Sequence, residues 1–473
     1  MAEVYRPANP RLSADAYVDG IRAEHKVRDG VIRNASVDRV ARGGGAAFIV
    51  YSAGIGLAYC SQLVVARVVG VDTFGLYTYV FSWMVVLAYF SALGFDVALL
   101  RFIPTYETER AWPLLRGVIQ YAQRRALAVG ILVVLIGVCI VLASGSPPER
   151  RNTFIVGVVL VPILALLRIR CAIVRALGGV VSSLAPDRLV REGMLICLVA
   201  IAALGLGWTV DAPMVMLAVL VGAALGLGCT VLAVRRRLPA AISDVVPQYD
   251  TRVWTRTAIP LVIMAATDVL MNRMGVILLG WMADTKDAGV YGLAFNIALV
   301  VTLPQVALNT LFAPEISSLY ARKDMATLQV LVTRAATWML LAGFFVGLVL
   351  FVLAEPLLAW FGPGFEAGVS ALRVLLVGQV LVAGAGSQLY VMTMTGHERS
   401  AAVLLVCSAI ANGGASFVLI AHFGLTGAAI ATAAVLVIWN AAMAIFLRRR
   451  LGLLPGAFAF ATRWRRLDDR ASV

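Results

Sequence analysis

No G-x-x-x-x-G-K-[ST], no H-E-x-x-H and no G-x-S-x-G spacing occurs in the chain. These absences leave no phosphate-cradling loop, no zinc-protease helix and no nucleophile elbow. Histidine appears three times, as His25, His397 and His422, scattered between tail and loops. Six cysteines each lie inside an apolar run and none forms a C-x-x-C, so they read as small packing residues and not as metal ligands or disulfides. Charged residues make up only 14% of the chain, and no polar stretch is long enough for a soluble catalytic domain. Neither ATP hydrolysis nor ordinary enzymatic catalysis is expected, and neither a cofactor nor a metal.

What the chain has instead is apolar length. Of its 473 residues 61% are hydrophobic, too many for a soluble core to bury. Runs of about 20 apolar residues cross a bilayer as helices, because a helix satisfies its own backbone hydrogen bonds in lipid. The pattern predicts an all-α polytopic membrane protein with about twelve spans. They fall near 44–67, 75–97, 126–143, 153–173, 189–207, 212–234, 257–281, 290–312, 330–354, 368–392, 400–421 and 424–447. The first run begins too late for the apolar region of a signal peptide.

The net charge of +14 points to lipid, not nucleic acid, because the basic residues sit in short loops between apolar runs. With twelve spans, 34 of the 40 Lys and Arg fall on one side and four on the other (Arg67, Arg150, Arg151 and Lys286). Arg273 and Arg373 lie within spans. Basic loops face the cytoplasm, so both termini are expected there, in a bacterial inner membrane. The organisation that follows is a polar tail (1–43), six spans (44–234), a linker (235–256), six more spans (257–447) and a basic tail (448–473).

The two halves resemble each other. "DTFGLY" (72–77) opens span two and "FIP" (102–104) follows its end; "KDAGVY" (286–291) opens span eight and "FAP" (312–314) follows. "RALGG" (175–179) after span four answers "MTGHE" (394–398) after span ten. Both halves start on the same side, which predicts two six-helix units related by a pseudo-two-fold axis along the membrane normal. Transporters with such repeats place the substrate path between the halves.

A charge inside a span costs about 2.5–3.5 kcal/mol on insertion scales, so each one asks for a reason. Arg273 sits mid-span in "ATDVLMNRMGV", with Asn272 beside it and Asp268 five residues earlier; a lumen residue and a packed polar contact are both open to it. Arg67 and Arg373 lie nearer span ends, where snorkelling to the headgroups is the alternative to lining a path. Asp96 and Arg101 lie near the inner end of span two, where Pro104 is expected to end the helix. Asp96, Asp268 and Arg101 are the candidates for a gate or for coupling. Arg168, Arg170 and Arg175 read as topology residues. Asp187, Arg188, Arg191 and Glu192 read as i, i+4 pairs at the start of span five. Tyr77, Tyr79 and Trp83 read as interface anchors. Gly222 with Gly226, and Gly427 with Ala431, suit close helix contact.

The stretch from Arg67 to Tyr106, with "GVYGLAFNIA", "LFAPEISSLYA" and "FGLTGAAIATA" after it, resembles the bacterial polysaccharide-biosynthesis flippases. These are lipid-linked oligosaccharide flippases of the multidrug/oligosaccharidyl-lipid/polysaccharide exporter superfamily. The order of these elements, over residues 40–450, carries the resemblance. It implies a V-shaped pair of bundles, alternating access and no ATPase. It also implies a polyprenyl-pyrophosphate oligosaccharide cargo moved to the outer leaflet for O-antigen, capsule or exopolysaccharide, with polymerase and chain-length proteins as partners. Relatives use a cationic lumen; Arg67 and Arg101 match recurring arginines, while Arg273 rests on the physical argument. A proton or sodium ion is the coupling species open to such a protein. The inside-negative potential, worth about 2.3 kcal/mol per charge per 100 mV, drives an anionic head outward. A drug or cation antiporter of the same superfamily, and a membrane scaffold for a polymer synthase, are the rival readings.

Overall fold

The computed structural model describes residues 10–242 and 245–457, and all its regular elements are helical. Of the expected tails, 1–43 and 448–473, residues 1–9 and 458–473 lie outside the described residues, and α1 and α15 extend into the remainder. The α-helices run in order: α1 Pro10–Ser91, α2 Phe95–Thr108, α3 Trp112–Ala143, α4 Pro148–Ala176, α5 Val180–Ala185, α6 Arg191–Ala200, α7 Ala212–Arg237 and α8 Thr251–Met282. They continue as α9 Thr285–Ala298, α10 Leu303–Ala321, α11 Met325–Val352, α12 Ala354–Ala359, α13 Val369–Ala385, α14 Gln388–Met394 and α15 Glu398–Leu451.

Nine helical stretches among the described residues are long and apolar enough to cross a membrane. Two of them, 60 and 54 residues long, would extend about 90 and 80 Å if straight, against about 30 Å of hydrocarbon. Neither is straight. α1 is broken at Gly70 (φ 76°) and α15 at Gly424 (φ 53°). At the second break Gly427 packs against the backbone of Leu419 and Ile420, which a straight helix would place about 12 Å away. The chain therefore folds back at Gly424. The segment from Val180 to Gly205 is helical too, interrupted by π-helical turns at Pro186–Val190 and Ile201–Gly205. Divided at these points, the path is compatible with twelve crossings.

The repeat is visible in the backbone. α4 ends at Ala176 and α14 at Met394, and each has a left-handed glycine two residues on, Gly178 (φ 77°) and Gly396 (φ 79°). In both, the next amide closes the same wide turn: Gly179 N–H donates to the Val174 carbonyl and His397 N–H to that of Met392, each at 2.8 Å. This is a Schellman cap, which needs a residue tolerant of positive φ. "RALGG" and "MTGHE" thus make one structure in two halves.

Pro104 does not end its helix. α2 continues through it to Thr108, and α10 likewise passes through Pro314. A helix already packed on its neighbours absorbs the one lost N–H bond. The breaks lie earlier: at Leu93 and Gly94, both with positive φ, in the first half, and at the 3₁₀ turn Leu299–Thr302 in the second.

Three buried clusters show how the halves meet. At the end opposite the basic loops a single core joins them, with Phe74, Tyr77 and Tyr79 of α1 packed with Tyr291, Phe295 and Phe365. Tyr77 and Tyr79 are therefore core residues and not interface anchors; their rings are almost fully covered. At the basic end the halves have separate cores, one built on α2, α3 and α4, the other on α10, α11 and α15. α8 links them. Its first turn, within the expected linker, buries Trp254 in the first-half core, where the indole N–H donates to the Tyr106 hydroxyl at 2.9 Å. Arg116 holds the linker to α3 through the Val245 carbonyl at 2.6 Å.

Candidate functional site

The apolar sequence leaves few polar groups to arrange, and the fold brings many of them to the facing surfaces of the halves. On the first half, Arg191 at the start of α6 bonds Asp187 at 2.8 Å and Glu192 at 2.7 Å. Glu192 also accepts from the Ser61 hydroxyl of α1 at 2.6 Å. The expected Asp187–Arg191 pair is thus formed. The expected Arg188–Glu192 pair is not, because Glu192 turns to Arg191 and Ser61 while the Arg188 guanidinium lies 5.1 Å from the Tyr51 ring centroid. From the second half, Asn296 of α9 closes onto α1: its amide donates to Gln62 at 3.2 Å and its carbonyl accepts from the Tyr59 hydroxyl.

Arg273 sits about two-thirds of the way along α8, within electrostatic range of Tyr77, Tyr89 and Arg191 of the first half. It makes no ion pair among the described residues, and Asp268, on the same helix, is not its partner. Asn272 donates its side-chain amide to the main-chain carbonyl of Asp268, 2.9 Å away, one turn back on the same helix. Arg273 and Arg191 therefore bring two cations from opposite halves into each other's field, and the acids nearby are already bonded to Arg191.

Asp96 lies at the start of α2, and its carboxylate accepts from Arg168 of α4 at 2.5 Å. The Arg168 guanidinium also stacks 3.3 Å from the centroid of the Tyr89 ring. Arg168, expected only as a topology residue, is thus also the counter-ion of Asp96. A charge in lipid needs a partner, and the partner is 72 residues away in sequence, where no spacing rule reveals it. Beside the pair lies a cavity of about 300 Å³ bordered by Arg175, Asp187 and Arg188.

The other candidates are dispersed. Arg67 ties the end of the first span to the second half, donating to the Trp360 carbonyl at 2.6 Å. Arg101 is exposed on α2 near the basic end. Arg373, in the second turn of α13, stands 5.3 Å from the Phe351 ring and borders an apolar groove, apart from Arg273 and Arg191. Tyr59, Ser61, Gln62 and Asn296 were not singled out from the sequence, since nothing separates them from polar packing residues until the helices are placed.

The family model for polysaccharide biosynthesis proteins matches residues 40–320. The chain belongs to that family. A search of curated proteins finds no match. Among solved structures, an inward-facing multidrug resistance MATE family transporter of the MOP superfamily superposes with a TM-score of 0.70 at 15% identity, covering 86% of this chain and 98% of the other. The lipid II flippase MurJ, in an inward closed conformation, gives 0.66 at 14% identity, covering 85% and 87%. An outward-facing MATE transporter of the same superfamily gives 0.59 at 15% identity, covering 86% and 95%. The fold is the one these transporters and this flippase share.

Proposed function

We propose that this protein is a flippase that carries a polyprenyl-pyrophosphate-linked oligosaccharide from the cytoplasmic to the outer leaflet for surface polysaccharide synthesis. The observation that carries the reading is Arg273: a cation inside a span of the second half, within electrostatic range of Arg191 of the first, with no ion pair among the described residues. A guanidinium in a low-dielectric setting that feels a second cation and has no acid partner favours an incoming anion, and a diphosphate is an anion that lipid-linked sugars bring. On this reading the basic loops and both termini face the cytoplasm, in the inner membrane of a bacterium. The halves then have one common core at the outer end and separate cores at the inner end, a shape that admits cargo from the cytoplasm. Alternating access follows as rocking of one half on the other. Polymerase and chain-length proteins would take up the product. The test is a deletion strain. Lipid-linked repeat units should accumulate on the cytoplasmic leaflet; normal surface polymer without accumulation would sink the proposal.

A second reading, a proton- or sodium-coupled drug or cation antiporter, draws on Asp268, an intramembrane acid with no ion-pair partner among the described residues. It predicts ion-dependent dye efflux that Asp268→Asn abolishes. Under the flippase reading the same carboxylate is a place for a coupling ion.

A further inference from the structure

We infer that the second half carries a binding site for one anionic phospholipid of the outer leaflet, with its phosphate on Arg373 and a chain in the groove between α13 and the second part of α15. The site stands apart from the flippase reading and does not depend on it.

Arg373 lies four residues into α13, about 6 Å from the end of that helix. Trp360, 66% exposed, marks the same end of the molecule, where indoles sit among headgroups. At this depth a guanidinium is below the water but within reach of lipid phosphates. Its surroundings give it no counter-charge. Arg373 makes no ion pair among the described residues, and its guanidinium stands 5.3 Å from the Phe351 ring centroid at the edge of the groove. The covered Nε is out of a lipid's reach, but the side chain as a whole is only part-buried, so its unopposed charge can meet an anion through the rest of the guanidinium. In a lipid-facing position the acceptor at hand is a phosphate.

The groove below fits the rest of such a molecule. Its volume is about 670 Å³, and its walls are Val374, Val377 and Leu381 on α13 and Ile430, Ala434 and Ile438 on α15. Arg373, Val377 and Leu381 follow one another at intervals of four, so the wall runs down one helix face for about 12 Å beneath the cation. Its floor is shaped by close packing, since a Cβ on Gly378 would meet that of Ala433 at 2.7 Å. A cation above a dry channel complements a lipid that carries one charge over a hydrocarbon chain. A zwitterionic lipid offers the same phosphate with its charge already offset, so an anionic one is favoured.

The test uses the full chain in nanodiscs of phosphatidylcholine with one-fifth phosphatidylglycerol, followed by native mass spectrometry. Wild type should retain one phosphatidylglycerol per protein. Arg373→Ala should weaken retention about tenfold, the worth of one charge-assisted contact, while Arg373→Lys keeps most of it. Val377→Trp, at a half-exposed groove position, should displace the lipid without touching the charge, and it reads the site even if the alanine variant does not fold. Equal retention by wild type, Arg373→Ala and Val377→Trp would overturn the proposal. So would displacement of phosphatidylglycerol by an equimolar polyprenyl phosphate, which would make the groove a carrier site.

Discussion

Gly75 and Gly289 pack backbone on backbone where the two halves meet; a Cβ on Gly289 would stand 2.5 Å from the Gly75 Cα. They are the matching glycines of "DTFGLY" and "KDAGVY", so the repeat meets itself at one point of the seam. Beside it Thr78 covers Gly292, and Phe74 lies edge-on to Phe365 at 5.5 Å. If the halves rock, this contact must part to open the outer end.

Gly289→Val should therefore hold the seam open, since overpacking costs about 1–3 kcal/mol and the nearest atoms in the way are the Gly75 backbone, with the Phe74 ring just behind. In a background without the native cysteines, a cysteine at Thr78, 8% exposed in this structure, should become reactive to an impermeant maleimide from outside. Unchanged labelling would mean that the contact does not gate this end.

The Asp96–Arg168 pair should behave as one unit. Removing one partner of a covered ion pair costs about 3–5 kcal/mol, and the 29% exposure of the Arg168 side chain argues for the lower end. Asp96→Asn and Arg168→Gln should each lower the thermal midpoint in detergent, while the double variant recovers part of the loss. Additive losses would show that the two are not coupled.

Much of this was legible from the residues themselves. "RALGG" and "MTGHE" announced matching turns because a helix C-terminus writes its glycine into the sequence. Asp187 and Arg191 announced their pair because i, i+4 neighbours share a helix face. Arg168 was not legible, because contacts between spans depend on how helices rotate against each other, and a single chain shows no period for that. Tyr77 and Tyr79 misled for a related reason: aromatic residues near a span end suit both an interface belt and a buried seam, and only the second half's position decides. Pro104 misled because packing outweighs one lost backbone bond.

Asp324 gives a pH test outside the membrane. Its carboxylate caps α11, accepting from the Thr327 amide at 3.0 Å, and hydrogen bonding from the Thr327 hydroxyl together with that amide holds the carboxyl below the usual carboxylate range. A lowered folded pKa means that the cap's contribution is present above the unfolded value of about 3.9 and fades as the pH falls through the folded one. The Thr327 amide should show a hydrogen-exchange protection factor that is steady at neutral pH and drops in acid. In Asp324→Asn the drop should vanish. An identical acid drop in both would assign it to something other than the cap.

The central claim, that an intramembrane cation with no ion pair among the described residues receives an anionic lipid-linked head, rests on Arg273. The direct measurement is the amount of lipid-linked repeat unit on the cytoplasmic leaflet in cells carrying Arg273→Ala, Arg273→Lys or wild type at matched membrane levels. The alanine variant should accumulate it at least about tenfold while remaining inserted, the scale of one charge-assisted contact, and the lysine variant should fall between. Wild-type polymer with no accumulation in Arg273→Ala would contradict the account.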